Sequence, residues 1–363
     1  MSVNSYLTDL KNKIEGNLTF HCVIGNEASD LDSMASSVAY AYFLSRIKQK
    51  EGELYLPLIN IPRADFKLRT EAVYLFEKTG IDIENLIFID QISLANLQDR
   101  GSLKLILIDH NKLASSQEKF QDSVEEILDH HKNEGLYSPT EGRTIEQVGS
   151  TATLVAEKMI NLDTAPPNTA IAELLLGTIL LDTVNLDPQA GRVTPKDEAV
   201  AGRLFEITRA DQNELFNKLQ AEKFNTSALD TPDLLRKDYK EWQMGAVKLS
   251  ISSVLLPVKE WLNKDSDIVE EFSKYAQSRK LDILLAMNAY TDPEFKRELV
   301  VFSADDQLKE KTVSFLLDLR IGLETIDAGM VKSAGKNIAF FSQSDLSKSR
   351  KKLKPLLNEY FSS

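Results

Sequence analysis

The chain has 363 residues, which is long for one domain and sufficient for two. Its formal net charge of −12 argues against a general nucleic-acid binder, because such proteins neutralise phosphates with an excess of basic residues. The single cysteine, Cys22, excludes an internal disulfide and favours a reducing compartment. We find neither a leader peptide nor an apolar run of about 20 residues, so we expect a cytoplasmic protein without a membrane or nucleic-acid partner.

Short apolar runs alternate with longer amphipathic segments in the first part of the chain. The apolar runs predict strands, at residues 18–24, 54–61, 86–89, 103–108 and 125–128. The amphipathic segments predict helices, at residues 33–47, 69–78, 151–159 and 169–181. Thr194 and Pro195 have the form of an N-cap and a first helical position, which predicts another helix. Strands separated by helices indicate an α/β domain with a doubly wound, mainly parallel sheet.

A polar stretch without periodicity, residues 221–230, predicts a linker between a domain at 1–220 and a domain at 231–363. In the second domain we predict strands, at residues 247–254, 283–289 and 299–302. We predict helices there too, at residues 232–241, 258–279 and 306–319. This arrangement indicates a smaller α/β domain with a mixed sheet.

Acidic residues and histidines follow several of the apolar segments. Asp109-His110-Asn111 and Asp129-His130-His131 each end a predicted strand. Asp30 and Asp32 lie in the turn after the first strand, and Asp182 ends an apolar helix. Ligands of an open α/β sheet collect at the carboxyl ends of its strands, so we expect these side chains to meet at one edge.

Several acids brought together at one edge repel one another unless cations neutralise them. A carboxylate-rich site with one or two imidazoles suits Mg²⁺ or Mn²⁺ better than zinc, which takes more nitrogen and sulfur. A pair of such ions is a common arrangement for attack of water on phosphorus. Each acid taken alone is more often a turn former or a helix cap, so the prediction of a cation site depends on their joint occurrence.

The ordered set of motifs around Asp30, Asp109, Asp129 and Asp182 resembles the DHH phosphoesterase superfamily. The second half, in segments 237–242 and 349–352, resembles the associated C-terminal domain of that superfamily. Together the resemblance covers nearly the whole chain. The segments 25–27 and 57–63 are similar to those of fungal cytosolic exopolyphosphatases, while family II inorganic pyrophosphatases and prune phosphodiesterases are other members.

The resemblance implies two divalent cations, with Mg²⁺ expected and Mn²⁺ or Co²⁺ as alternatives. Asp30 and Asp109 are expected to hold the first ion. Asp32, Asp109, His130 and Asp182 are expected to hold the second, which makes Asp109 the bridging carboxylate.

Three further residues receive roles from the resemblance. Asn26 stands where family II pyrophosphatases usually have a ligating histidine. Its amide oxygen is a harder and weaker ligand that favours Mg²⁺, or it does not ligate at all. Asp129 is expected to orient the neighbouring imidazole of His130, and His131 to contact the transferred phosphoryl group or the leaving oxygen.

The resemblance also implies that Lys240, Arg350 and Lys351 hold the remaining phosphates. Arg63 and Arg69 either line the path of a long polyanion or are surface ion-pair partners. The stretch from Lys332 to Lys354 carries seven basic residues against one acidic residue, so it is either part of a phosphate site or a solvated helix face.

These implications predict a metal-dependent exopolyphosphatase that releases orthophosphate from the ends of linear inorganic polyphosphate, and we expect it to be a monomer. A family II-type pyrophosphatase and a prune-like nucleotide or oligophosphate phosphohydrolase are the rival enzymes. A catalytically silent binding module is the non-enzyme alternative, and the presence of every carboxylate in the motif set counts against it.

Overall fold

The computed structural model describes residues 1–162, 164–327 and 337–362. Two units, Met1–Phe224 and Asn225–Ser363, make up the chain. Lys332 and Lys336 of the predicted basic stretch lie outside the described residues. Among the residues described, no helix combines the length and the apolar character that crossing a bilayer requires.

Parallel strands form the centre of the first unit. The strands are β1 (Thr19–Ile24), β2 (Glu53–Leu58), β3 (Leu103–Ile108), β4 (Val124–Asp129) and β5 (Gly142–Ile145). They pair in the order β2-β1-β3-β4-β5, and every pairing is parallel. The helices are α1 (Val3–Lys13), α2 (Leu31–Ile47), α3 (Arg63–Phe66), α4 (Thr70–Lys78), α5 (Leu94–Asp99), α6 (Thr151–Ile160), α7 (Thr169–Asp182), α8 (Pro195–Thr208) and α9 (Gln212–Lys223). The predicted α/β fold with a parallel sheet is confirmed.

The pattern of buried residues explains why these segments take their places. β3 is apolar and buried at every position except Lys104, as expected for a strand covered by helices on both faces. α7 is buried along nearly its whole length, which matches its continuous apolar sequence. Thr194 caps α8 and Pro195 occupies its first turn, as predicted.

One predicted strand of the first unit is wrong. Residues 86–89 make a single bridge between Phe88 and Ile59, and they lie between two short 3₁₀ turns. The amide of Phe88 donates to the Gln91 side chain at 3.0 Å, so the backbone closes into a turn instead of extending the ladder. The strand predicted at 54–61 ends at Leu58.

A mixed sheet forms the second unit. Its strands are β6 (Tyr239–Met244), β7 (Val247–Val254), β8 (Ile283–Thr291), β9 (Phe295–Phe302), β10 (Leu323–Thr325) and β11 (Ile338–Gln343). They pair in the order β10-β11-β9-β8-β7-β6, where β7 and β8 are parallel and the other pairs antiparallel. The helices are α10 (Thr231–Lys237), α11 (Val258–Lys264), α12 (Ile268–Arg279), α13 (Asp306–Asp318) and α14 (Arg350–Ser362).

Two predicted helices of the second unit are corrected. The helix predicted at 232–241 ends at Lys237, and the following aromatic-rich segment forms β6, because it pairs antiparallel with β7. The helix predicted at 258–279 is two helices. Asp265 separates them, since its carboxylate accepts from the amide of Asp267 and from the hydroxyl of Thr231.

Candidate metal centre

The candidate site lies where β1, β3 and β4 end. Ile24 is registered with Leu107, and Ile108 is registered with Leu128, so the residues that follow each strand emerge side by side. Asp109 leaves β3 with a left-handed backbone, at a φ of 60°, and its amide donates to the Leu128 carbonyl at 3.0 Å. The predicted meeting of the strand ends is therefore present.

Asp32 lies in the first turn of α2 and is held by the start of another helix. Its carboxylate accepts from the amides of Thr151 and Ala152, the first residues of α6, at 2.6 and 2.8 Å. These amides have no partner inside the helix, and the helix dipole favours a negative charge there. Only 2% of Asp32 is exposed, so its position is fixed by contacts from two helices.

Asp109 is the centre of the hydrogen-bond network. Its Oδ2 accepts from the Ser33 hydroxyl at 2.6 Å and from the Asn26 amide at 2.9 Å. Its Oδ1 accepts from the Thr151 hydroxyl at 3.2 Å and lies 3.3 Å from Nε2 of His130. The carboxylate is thus oriented by neutral hydroxyl and amide groups and by two imidazoles, since Nδ1 of His131 also lies 3.6 Å from Oδ1.

The two neighbouring histidines are oriented by different partners. Nδ1 of His130 donates to the Val148 carbonyl at 2.9 Å, which directs Nε2 towards Asp109 and Asp32. Nδ1 of His131 donates to Asp129 at 2.9 Å. Asp129 therefore orients the imidazole of His131, and the prediction that it supports the His130 ring is wrong.

Asp129 is buried and its carboxylate is saturated with donors. Its oxygens accept from the amides of His130 and His131, from the His131 ring and from the Asn111 side chain. Burial raises the pKa of Asp129, but the hydrogen bonds from His131 and Asn111 outweigh burial and lower the pKa below its usual value. The same contact with Asp129 raises the pKa of His131.

The remaining acids of the site have raised pKa values. Burial and the charge of Asp109 raise the pKa of Asp32 to about 7. Burial and the same neighbour raise the pKa of Asp30. Burial and the charges of Asp32 and Asp30 raise the pKa of Asp182 well above its usual value. Oδ2 of Asp182 is buried and, within the described part of the chain, has no hydrogen-bond partner.

This donor set fits hard divalent cations. Four carboxylates, those of Asp30, Asp32, Asp109 and Asp182, line one cavity of about 650 Å³ together with His130 and His131. Ligand atoms of Asp109, His130 and His131 lie within 4.8 Å of one another. Carboxylates with raised pKa values, such as those of Asp30, Asp32 and Asp182, bind either protons or cations to offset their charge, and carboxylate oxygens are the ligands that hard divalent cations prefer. The cavity thus brings together the predicted metal ligands other than Asn26, together with His131.

The pKa of His130 also indicates that positive charge is favoured at this site. Burial lowers its pKa, but the hydrogen bond to Asp109 and the charge of Asp32 raise it more, to about 10. Because Nδ1 is committed to the Val148 carbonyl, Nε2 holds either a proton or a cation. The two are alternative ways to neutralise the acids around it.

Asn26 occupies a different position from the one a ligand needs. Its Oδ1 accepts from the amides of Ala28 and Ser29, at 2.9 and 3.1 Å, and its Nδ2 donates to Asp109. The side-chain oxygen is therefore used inside the turn. This geometry argues against Asn26 as a metal ligand and makes it a positioning residue for Asp109.

The predicted phosphate-binding residues lie in several environments. Arg69 donates to the carbonyls of Ala28 and Ser29, and so holds the turn that precedes Asp30. Arg63 pairs with Glu84 at 2.6 Å, which matches the ion-pair alternative. In the second unit, three candidates belong to β6 and the start of α14. Lys240 and Lys351 are exposed, while Arg350 pairs with Asp238 at 2.7 Å.

Ser33, Thr151 and Val148 position the site but were not predicted to do so. Ser33 follows the Asp-Leu-Asp motif directly, so the motif itself contained a signal. Thr151 follows Ser150, the residue that caps α6. The role of Val148 depends on its backbone carbonyl, which no side-chain pattern reveals.

Comparisons with known proteins agree with this geometry. Residues 21–179 match the DHH family, N-terminal domain, and residues 217–360 match the DHHA2 domain. A mouse (Mus musculus) protein named exopolyphosphatase PRUNE1 is 34% identical over 364 residues, which cover 99% of this chain and 79% of the relative. The chain belongs to the DHH family. The predicted resemblance to this superfamily and its associated C-terminal domain is confirmed, and the chain is an enzyme, a DHH phosphohydrolase.

Two further relatives widen the comparison. A putative exopolyphosphatase of Schizosaccharomyces pombe is 32% identical over 359 residues, covering 93% of this chain and 90% of the relative. A manganese-dependent inorganic pyrophosphatase of Methanothrix thermoacetophila is 26% identical over 271 residues, covering 73% of this chain and 79% of the relative. The relatives of this DHH-family chain thus include proteins named for two phosphate substrates.

Proposed function

We propose that this DHH-family enzyme hydrolyses the terminal phosphoanhydride bonds of linear inorganic polyphosphate and releases orthophosphate. One observation carries the proposal: the carboxylates of Asp30, Asp32, Asp109 and Asp182 line one cavity, in which Arg192 is the only lysine or arginine among the described residues. The names of the mouse and S. pombe relatives support polyphosphate as the substrate.

The proposed site uses two divalent cations, with Mg²⁺ preferred over Mn²⁺ or Co²⁺. Bound there, such cations neutralise the phosphoryl oxygens and promote attack by water. Asp30 and Asp109 are the proposed ligands of one ion, and Asp32, Asp109, His130 and Asp182 those of the other. Ser33 and Thr151 each donate to one oxygen of Asp109 and so hold its carboxylate in one orientation, which would let it serve as a shared ligand.

His131 is the proposed contact to the reacting phosphoryl group. Its ring lines the cavity, and 57% of its side chain is exposed. Nδ1 donates to Asp129, and this contact raises the pKa of the ring and so favours its protonated form, in which Nε2 can donate a proton to the leaving oxygen. Asp129 thus assists by fixing the ring and favouring its charged form.

The strongest rival is an inorganic pyrophosphatase, which the M. thermoacetophila relative supports. The position of Asn26 counts against it, because that residue stands where the family II enzymes usually have a ligating histidine and its oxygen is occupied by Ala28 and Ser29. Exposed Lys240 and Lys351 remain the proposed phosphate contacts of the second unit, together with Arg350.

A substrate comparison tests the proposal. Purified protein with Mg²⁺ is offered long polyphosphate, pyrophosphate and a nucleoside polyphosphate, and orthophosphate release is followed. We expect the largest kcat/KM for long polyphosphate. A large preference for pyrophosphate contradicts the proposal, and no release from any substrate favours a binding module. The Asp109→Asn protein, prepared in parallel, controls for contaminating phosphatases.

A further inference from the structure

A second cavity, of about 320 Å³, lies beside the metal centre on the first unit. Asp109 and His131 line both cavities, so the ring proposed to meet the reacting phosphoryl group also borders this second space. Four acids and one arginine line the metal centre, whereas the second cavity has three acids and two lysines, Lys112 and Lys132. The proposed mechanism uses neither of them.

The two lysines occupy equivalent places in the sequence. Lys112 follows Asp109-His110-Asn111, and Lys132 follows Asp129-His130-His131. Both are exposed, and neither ammonium group has a hydrogen bond or an ion pair with any residue that the structure describes. Three acids share the lining: Glu134 is exposed, Asp129 accepts hydrogen bonds from His131 and Asn111, and Asp109 also lines the metal centre. The cavity therefore offers unpaired positive charge next to the site of reaction.

Asn111 fixes the two loops that carry the lysines. Its Nδ2 donates to the Asp129 carboxylate and, at 3.0 Å, to the Lys132 carbonyl. Its Oδ1 accepts from the amide of Glu134 at 2.8 Å. Asn111 is only 4% exposed, so this brace is part of the folded interior. The backbones of Lys112 and Lys132 are thus held in place before any substrate arrives, which reduces the ordering cost of binding.

We propose that this cavity is the subsite for the phosphates that follow the first leaving phosphate, and that Lys112 and Lys132 are specificity-determining residues that retain a polyphosphate chain. The inference rests on the proposed function. Pyrophosphate ends one phosphate beyond the scissile bond, whereas a long chain continues past His131. Lysine ammonium groups attract such a polyanion as point charges, and adjacent walls of low dielectric concentrate the attraction.

The test compares the Lys112→Ala/Lys132→Ala double variant with the unaltered protein on long polyphosphate and on pyrophosphate. For long polyphosphate we expect KM to rise roughly tenfold and to depend less on salt, while kcat stays within about twofold. The kinetic constants for pyrophosphate should stay within about twofold. A Lys112→Glu/Lys132→Glu variant should raise the polyphosphate KM further. Since both side chains are exposed, the melting temperature of either double variant should be unchanged.

Lys104→Ala is the matched control, because Lys104 is an exposed lysine near the start of β3 and its loss changes the net charge in the same direction. Its polyphosphate KM should equal that of the unaltered protein. If the unaltered protein releases nothing from polyphosphate, the proposed function itself fails. If the unaltered protein is active and the double variant keeps its KM and salt dependence, only the subsite is refuted. Equal losses on both substrates also refute it, because the lysines then serve the reacting phosphate.

Discussion

The strands of the first sheet carry acids and histidines at both of their ends, the amino edge and the carboxyl edge of the sheet. The acids at these two edges have different kinds of partner. At the amino ends of the strands, each ring nitrogen of His21 faces a carboxylate, Glu125 on one side and Glu53 on the other, and the ring stacks on Tyr55 with 4.5 Å between centroids. Lys50 also pairs with Glu53. The chain itself therefore supplies the partners of these acids.

At the carboxyl ends, the acids receive neutral donors. Ser33, Thr151 and the first amides of α6 orient Asp109 and Asp32 without cancelling their charge. Oδ2 of Asp182 has no hydrogen-bond partner within the described residues. Buried acids paired inside the chain are structural, whereas buried acids left with neutral donors indicate a place for an external cation.

The largest effect expected from this difference follows from Asp109→Asn. The change removes the charge that both proposed cation positions share, so we expect turnover to fall by more than about 100-fold and cation affinity to fall with it. Phosphate release and calorimetric titration with Mn²⁺ measure the two effects. Glu125→Gln removes one charge at the amino edge and should keep both properties. Substantial activity in the Asp109 variant refutes the bridging role.

Removal of cations should make stability depend on pH. The folded-state pKa of Asp32 is raised to about 7 and that of His130 to about 10, so the cation-free folded protein binds more protons than the unfolded chain. These two groups therefore contribute to the free energy of unfolding at low pH, and this contribution is lost as pH rises through their folded-state pKa values. In chelator we expect the melting temperature to fall by several degrees between about pH 5 and pH 8.

Scanning fluorimetry across this pH range, with and without Mg²⁺ or Mn²⁺, checks the prediction. Added cation should raise the melting temperature most at pH 8, where the carboxylates are charged and available. An equal cation effect at pH 5 and pH 8 contradicts the assignment of these groups to the cation site.

A substitution at the amino edge should have a smaller effect, and it should affect stability and not cation binding. His21→Ala leaves the buried Glu125 carboxylate without its partner, so we expect the free energy of unfolding to fall by about 2–3 kcal/mol. Urea unfolding measures the loss, which should be the same with and without cation. KM and cation affinity should not change. A loss of cation affinity in this variant means that the two edges are not independent.

Arg69→Ala should give the smallest effect. Arg69 holds the carbonyls of the turn before Asp30, so its loss should lower cation affinity by about tenfold while kcat at saturating cation is retained. Arg63→Ala is the matched control, because it breaks a surface pair with Glu84 that contributes little. Titration of activity against Mg²⁺ compares the two. Equal behaviour of both variants contradicts the positioning role of Arg69.

The sequence by itself determined the parallel sheet of the first unit and the residues that meet at its edge. Periodicity marked β3 at residues 103–108, which Asp109 follows directly, so the rule for strand ends was enough to bring Asp30, Asp109 and His130 to one cavity. Local patterns carry this information because strand direction and side-chain alternation are properties of neighbouring residues.

Only the tertiary structure decided how each side chain is used. It assigned Asp129 to the His131 ring, engaged the oxygen of Asn26 in its own turn, and placed the start of α6 against Asp32, 119 residues earlier in the chain. It also turned residues 86–89 away from the sheet. Hydrogen-bond partners so far apart are chosen by packing, because the orientation of a buried polar group depends on whichever donors the folded chain brings to it.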